Sequence, residues 1–292
     1  MREQLKTIEH DLGQIADMLL LNGTLTECPG LVHGKMGIAV FFFHYAQYTD
    51  NMLYAEYAID LIAEMQNQIH VSSSADYEKG LAGIGVGIEY LIQNKFLIVE
   101  DDICEDFDSR MFRAVMYDPW QDFSQYDGLS GYGRYWISRL RYASVSDKAK
   151  ECLFRIIEYF EENSSYISPD EQYDVYCFLY DLHQIADFAN TQLLTAQLEQ
   201  CRKEWNLQKA DMDQSFLRFG NSVIDNIVRR VQHNHYFNSD LQDDTQTLLQ
   251  QIADLDMERV PVATGLLIGY AGEGMMRLTA LDRTNMSWML LL

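Results

Sequence analysis

The chain has 292 residues, 48% hydrophobic and 12% aromatic, enough to bury a large core. Asp and Glu outnumber Lys and Arg by 44 to 22, leaving a net charge of −22 and a pI near 4.5. That balance argues against nucleic-acid binding and against an anionic membrane surface, and leaves solubility or attraction of a basic peptide as its consequences.

Four prolines suit a helical protein, and no break in composition divides the chain, so one domain over 1–292 is expected. Cys28, Cys104, Cys152, Cys177 and Cys201 are odd in number and widely spaced, with no Cys-x-x-Cys. They imply a reducing compartment rather than a disulfide framework. Glu3, Glu9, Asp11 and Asp17 fall where a signal peptide is apolar, and no apolar run reaches the length of a membrane span. A cytoplasmic location is expected.

In chain order, Leu5, Ile8, Leu12, Ile15 and Leu19 recur at helical steps, and Asn22-Gly23 ends that amphipathic helix. Cys28-Pro29-Gly30 is a turn. It leads into Gly34-Lys35-Met36-Gly37 and a more apolar helix with Phe41, Phe42 and Phe43, predicted to stop near Tyr48-Thr49-Asp50. Residues 51–70 are predicted helical, and Ser72-Ser73-Ser74 is a loop. Then the glycine turn returns as Gly80-Leu81-Ala82-Gly83, as Gly128-Leu129-Ser130-Gly131, and as Gly269-Tyr270-Ala271-Gly272.

The first glycines of these pairs are separated by 46, 48 and 141 residues, and 141 is three times 47. Two degenerate copies are therefore expected near 175 and 222. In the first, Asp174 and Cys177 stand for the glycines; in the second, Gly220 keeps one of them. The pattern predicts about six two-helix repeats, with the apolar glycine helices as an inner layer and the amphipathic ones outside. Trp288 to Leu292 is expected to tuck in as a closing segment.

These residues resemble a family. Gly30-Leu31-Val32-His33-Gly34-Lys35-Met36-Gly37, Gly80-Leu81-Ala82-Gly83-Ile84-Gly85 and Gly265-Leu266-Leu267-Ile268-Gly269-Tyr270-Ala271-Gly272 are similar to the repeats of lanthionine synthetase C-like proteins. The resemblance implies an all-α, α/α toroid fold. It also implies a link to thioether formation in ribosomally made peptides, where the bacterial enzymes use zinc held by two cysteines and a histidine. This chain departs from the family: it has about six helical pairs where seven are usual. It also lacks the Trp-Cys and Cys-His-Gly segments that supply the zinc ligands. Leu267-Ile268-Gly269 stands where Cys-His-Gly belongs.

In such a ring the inner helices begin at one mouth, so the residues before each first glycine should face one another: His33, Lys79, Asp127, Tyr173, Phe219 and Ile268. Free N–H groups at the helix starts would suit carboxylates or a peptide backbone there. His33 is the natural acid–base group, with Lys79 as anion contact and Asp127 as base or His partner. Tyr126, Tyr173, Tyr270 and Glu273 would line a peptide-binding mouth. Against this stands the reading that these are turn and capping residues. If zinc were kept, Cys28, His33 and Cys177 are the best trio; His233 and His235 read as solvated surface.

The preferred reading is a zinc-free peptide-binding accessory or scaffold, with a peptide or a partner modification enzyme as its binding partner. One alternative is an active cyclase centred on His33, Asp127 and Cys28. Another is a carbohydrate enzyme using Asp127 and Glu273, with Glu89 a further inner-helix acid.

Overall fold

The computed structural model describes residues 2–70, 72–99, 102–117, 119, 122–142, 144–189, 191–205, 223–237, 263–267, 269–282 and 286–292. Among these every regular element is helical, and no helix is long and apolar enough to cross a membrane. The first apolar stripe forms α1 (Arg2–Asn22), whose Ile8, Leu12, Ile15 and Leu19 are at most 1% exposed. The Gly23 N–H returns to the Leu19 carbonyl at 2.7 Å and closes the helix end.

Two kinds of helix alternate after that. In α2 (Lys35–Thr49) every residue from Lys35 to Ala46 is buried, so the helix has no polar face. It ends at Asp50, which takes the left-handed conformation with φ 51°. Asn51 then caps α3 (Met52–Gln68) by accepting the Leu53 N–H at 3.2 Å. This helix buries one stripe only: Ala55, Ala58, Leu61, Ile62 and Met65. The contrast repeats. α4 (Leu81–Gln93) and α6 (Leu129–Arg139) are buried on most sides, whereas α5 (Glu105–Met116) and α7 (Ser146–Glu162) are amphipathic. The remaining helices are α8 (Pro169–His183), α9 (Ala186–Ala189), α10 (Gln192–Glu204), α11 (Val223–Phe237) and α12 (Tyr270–Leu281), followed by a 3-10 turn at Ser287–Leu291.

The chain divides into two compact units, Met1–Ser73 with Leu217–Leu292, and Ser74–Phe216. In the first, α12 packs against both α1 and α2, and α3 lies on α2. The expected closing segment is present: Trp288 and Met289 are fully buried, and the Trp288 indole N–H donates to Thr279 Oγ1 at 2.9 Å. In the second unit α4, α6 and α8 are successive neighbours, while α5 and α7 pack on each other and on α6.

All four glycine turns share one hydrogen-bond pattern. The first glycine is the N-cap of its helix: Gly34 for α2, Gly80 for α4, Gly128 for α6 and Gly269 for α12. The loop before it folds back over the helix start. The first helical N–H donates to the carbonyl seven residues earlier: Lys35 to Cys28 at 2.9 Å, Leu81 to Ser74 at 3.0 Å, Leu129 to Asp122 at 2.9 Å and Tyr270 to Ala263 at 3.0 Å. This is why glycine is required. A Cβ at the N-cap would lie 2.2–2.4 Å from the carbonyl six residues back, and one at Gly131 or Gly272 would lie 2.0 Å from it. Gly269 also has φ 136°, which side chains rarely adopt.

A third small position faces the neighbouring helix. Gly85 lies against the Tyr135 ring, Gly133 against Phe178 and Gly274 against Phe41. Phe41 and Tyr135 each stand seven residues past the first glycine of their own turn. Phe178, on α8, makes the same ring contact with Gly133 that Tyr135 and Phe41 make with Gly85 and Gly274, and it stands four residues past Asp174 and one past Cys177. The fifth copy around Gly220, with Phe219, lies outside the described residues, as does Ile268.

Candidate functional site

The predicted mouth residues sit on these turns, and each unit brings its own set together. In the second unit, the Tyr77 and Glu78 N–H groups donate to the Tyr126 carbonyl at 2.9 and 3.1 Å. The loop carrying Lys79 is thereby joined to the loop carrying Tyr126 and Asp127. That loop is joined in turn to α8, which carries Tyr173. The Glu171 carboxylate accepts the Phe123 N–H at 2.9 Å, and Asp174 accepts the Gln125 N–H at 2.8 Å. Lys79 and Asp127 are exposed; Tyr126 and Tyr173 are half-buried. The exposed Lys79 Nζ lies 3.3 Å from the half-buried Glu78 carboxylate.

In the first unit the same loop-to-loop bonds recur. The Leu266 and Leu267 N–H groups donate to the Val32 carbonyl at 2.8 and 3.3 Å, joining the His33 turn to the turn before Tyr270. His33, Cys28, Tyr270 and Glu273 are half-buried here. Glu273 is a counter-ion: Arg277, fully buried, reaches it at 3.3 Å and Asp11 at 3.8 Å.

The expectation of free N–H groups at the helix starts is overturned. The carbonyls of the preceding loop already take the leading N–H groups of all four glycine helices, and the second N–H follows suit in three: Met36 to Pro29, Ala82 to Ala75 and Ala271 to Thr264, at 3.2–3.4 Å. An anion at these starts would have to displace protein hydrogen bonds, so the helix ends are closed rather than offered.

The thiols and inner-helix acids are equally engaged. Cys177 is buried in α8, and burial pushes its thiol well above the ordinary range, with Arg134 opposing. Burial likewise pushes Cys104 up to about 12. A metal binds the thiolate, and these sites favour the thiol. Among the described residues, no three or more His, Cys, Asp or Glu side chains form a group able to hold a metal ion. His233 and His235 lie on α11, half-buried and exposed respectively, and burial lowers the His233 pKa.

Sequence reasoning missed a buried ionic network in the second unit. Arg139, fully buried near the end of α6, donates to Asp108 at 2.8 and 3.0 Å, to Glu89 at 3.3 Å and to Asp102. The Tyr135 hydroxyl donates to Asp108 at 2.5 Å, and Arg141 pairs with Glu89. Burial raises the Glu89 pKa against the pull of Arg141 and Arg139. The available signal was the pair of arginines, Arg134 and Arg139, on a glycine helix, since a buried arginine needs counter-ions. In the first unit, α2 buries His44, whose pKa falls to about 4 through desolvation. No protein-family model, curated protein or solved structure matches this chain.

Proposed function

We propose that this chain is a zinc-free lanthionine synthetase C-like protein that binds a peptide, as an accessory or scaffold in the modification of a ribosomally made precursor. The fold in this proposal is an α/α toroid of about six two-helix repeats, with the glycine turns around one mouth. The observation that carries the reading is the common geometry of the four turns, each linked by backbone hydrogen bonds to its neighbour where both lie in one unit. Support for ring closure comes from α12, the last glycine helix, lying against α2, the first.

Support for binding over catalysis comes from the occupied groups. Glu89, Asp108 and Glu273 each already hold an arginine, and Cys177 is kept as a thiol. In the second unit the linked turns and α8 carry the half-buried rings of Tyr126 and Tyr173 with the exposed Lys79 and Asp127; in the first, Tyr270 is likewise half-buried. Tyrosines of this kind suit an extended peptide, offering apolar area and a hydroxyl at low entropic cost.

The test is metal analysis of the purified protein together with titration of a fluorescent Ser/Thr/Cys-rich precursor-type peptide. The expected outcome is no stoichiometric zinc, and binding weakened about tenfold in Tyr126→Ala/Tyr173→Ala. One zinc per chain that disappears in Cys28→Ala, or thioether formation on a dehydrated peptide, would overturn the reading.

A further inference from the structure

The first unit carries a second surface that the turns do not explain. Of the eleven large apolar side chains exposed among the described residues, six lie between Leu21 and Ile59: Leu21, Leu25, Tyr48, Met52, Leu53 and Ile59. Leu21, Leu25, Met52 and Leu53 are 68–73% exposed. Scattered apolar residues need no explanation, but a concentration of this kind marks an interaction surface. The end of α1 and the start of α3 are tied together. The Tyr57 hydroxyl donates to the Leu20 and Leu19 carbonyls at 3.2 and 3.4 Å, and Leu53 stands one turn before Tyr57.

Charge selects the occupant. Between Lys6 and Lys79 the chain has ten acidic residues and a single Lys or Arg, Lys35. Lys35 is 2% exposed and is paired with Glu64 at 2.7 Å, so it offers no cation to a partner. The exposed acids within a few residues of these apolar side chains along the chain are Asp17, Glu27, Asp50, Glu56 and Asp60. A second copy of this chain would bring the same net charge of −22, and an anionic lipid surface would also repel the face. A helix with an apolar stripe flanked by Lys and Arg satisfies both parts of it, and Met52 supplies an adaptable contact.

We propose that this face docks a cationic amphipathic helix of a partner protein. The probe is a fluorescein-labelled Leu–Lys amphipathic helix about five turns long, compared with its Leu–Glu counterpart by fluorescence anisotropy. The Leu–Lys peptide is expected to bind, more weakly as salt rises, and the Leu–Glu peptide is not. Met52→Ser/Leu53→Ser should weaken binding about tenfold, and Glu56→Lys/Asp60→Lys by a similar factor. All four positions are exposed, and circular dichroism reports that the variants fold. Ile98→Ser, at a 92% exposed apolar site in the other unit, should change nothing. Tyr126→Ala/Tyr173→Ala should also change nothing, which separates this face from the peptide mouth. Equal binding by the Met52→Ser/Leu53→Ser protein, or equal binding of both peptides, overturns the proposal. So does a dimer in sedimentation that Met52→Ser/Leu53→Ser dissociates, which would assign the face to a second copy.

Discussion

The third glycine turn and the start of α8 are neighbours in the second unit, and they close a helix start in different ways. At the third turn the work is done by backbone: the Asp122 carbonyl takes the Leu129 N–H, and Gly128 and Gly131 leave room for the loop to lie there. α8 begins with Ser168-Pro169, Ser168 being the N-cap, and carries Glu171 and Asp174 in its first two turns. Glu171 takes the Ser168 N–H at 2.9 Å with one oxygen and the Phe123 N–H of the neighbouring loop, also at 2.9 Å, with the other. One carboxylate thus serves as cap and as link between repeats. The lesson is that neighbouring helix starts can be linked without a glycine turn, because a side-chain acceptor serves where a backbone carbonyl does elsewhere.

The largest break should come from the backbone solution. In Gly131→Ala the new Cβ meets the Gln125 carbonyl at 2.0 Å, and Gly272→Ala meets the Leu266 carbonyl at 2.0 Å. Backbone cannot rotate away as a flexible side chain can, so each substitution should cost about 3 kcal/mol or more in chemical denaturation. Gly13→Ala is the control: nothing lies within 4 Å of its Cβ, on a helix where alanine is preferred, and a gain of up to about 1 kcal/mol is expected. Equal effects at the three positions would show that the loop is not what demands glycine.

The turns contain no titrating group in their backbone bonds, whereas the body of α2 does contain one. His44 has an ordinary pKa of 6.5 and a folded value of about 4, so the unfolded chain binds the proton first as pH falls. Its contribution is fully present above pH 6.5, declines through the window down to about 4, and is complete in its loss below that. The gap is worth about 3 kcal/mol. His44→Gln should flatten that part of the stability-versus-pH curve; an unchanged slope between the two values would mean another group governs it.

Much of this was legible in the sequence. The glycine turns, the helix boundaries around Asn22-Gly23 and Asp50, the apolar character of α2 and the buried tail at Trp288 all follow from local chemistry: left-handed or crowded backbone needs glycine, and a helix buried all round needs apolar residues on successive positions. The link that Glu171 and Asp174 make from α8 to the third loop was not foreseen, because two carboxylates at a helix start carry no signal of the distant amides they accept. The closed helix starts were not foreseen either. A Gly-rich turn before a helix looks the same in sequence whether its N–H groups face a ligand or the loop's own carbonyls. The Arg139 network joins residues from Glu89 to Arg141, a pairing that no short-range pattern encodes.

Within α8, Asp174→Ala and Glu171→Ala should each cost about 2 kcal/mol, as expected for a lost charged acceptor at a partly buried amide. The local readout is sharper than the global one. Asp174→Ala should speed hydrogen exchange at the Gln125 amide, and Glu171→Ala at the Phe123 amide, relative to amides inside α6. If both amides stayed protected, the carboxylates would be passengers and the link between the third turn and α8 would rest on the apolar contact of Phe178 with Gly133.

The smallest expected effect separates the two roles of Glu171. The Ser168 hydroxyl donates to the Glu171 carboxylate at 2.6 Å and makes no described contact with the third loop. Ser168→Ala should therefore cost about 1 kcal/mol, the usual loss at a helix cap. It should leave exchange at Phe123 and Gln125 unchanged, because the Glu171 oxygen that accepts from Phe123 is the other one. Glu171→Gln sits between the cases: its amide oxygen can still accept the Phe123 N–H, but its amide nitrogen can accept neither the Ser168 N–H nor its hydroxyl proton. It should therefore cost more than Ser168→Ala and less than Glu171→Ala, while keeping the loop protected. If Ser168→Ala instead loosened the Phe123 amide, cap and link would be one cooperative unit, and α8 would hold the neighbouring loop only as firmly as it holds its own first turn.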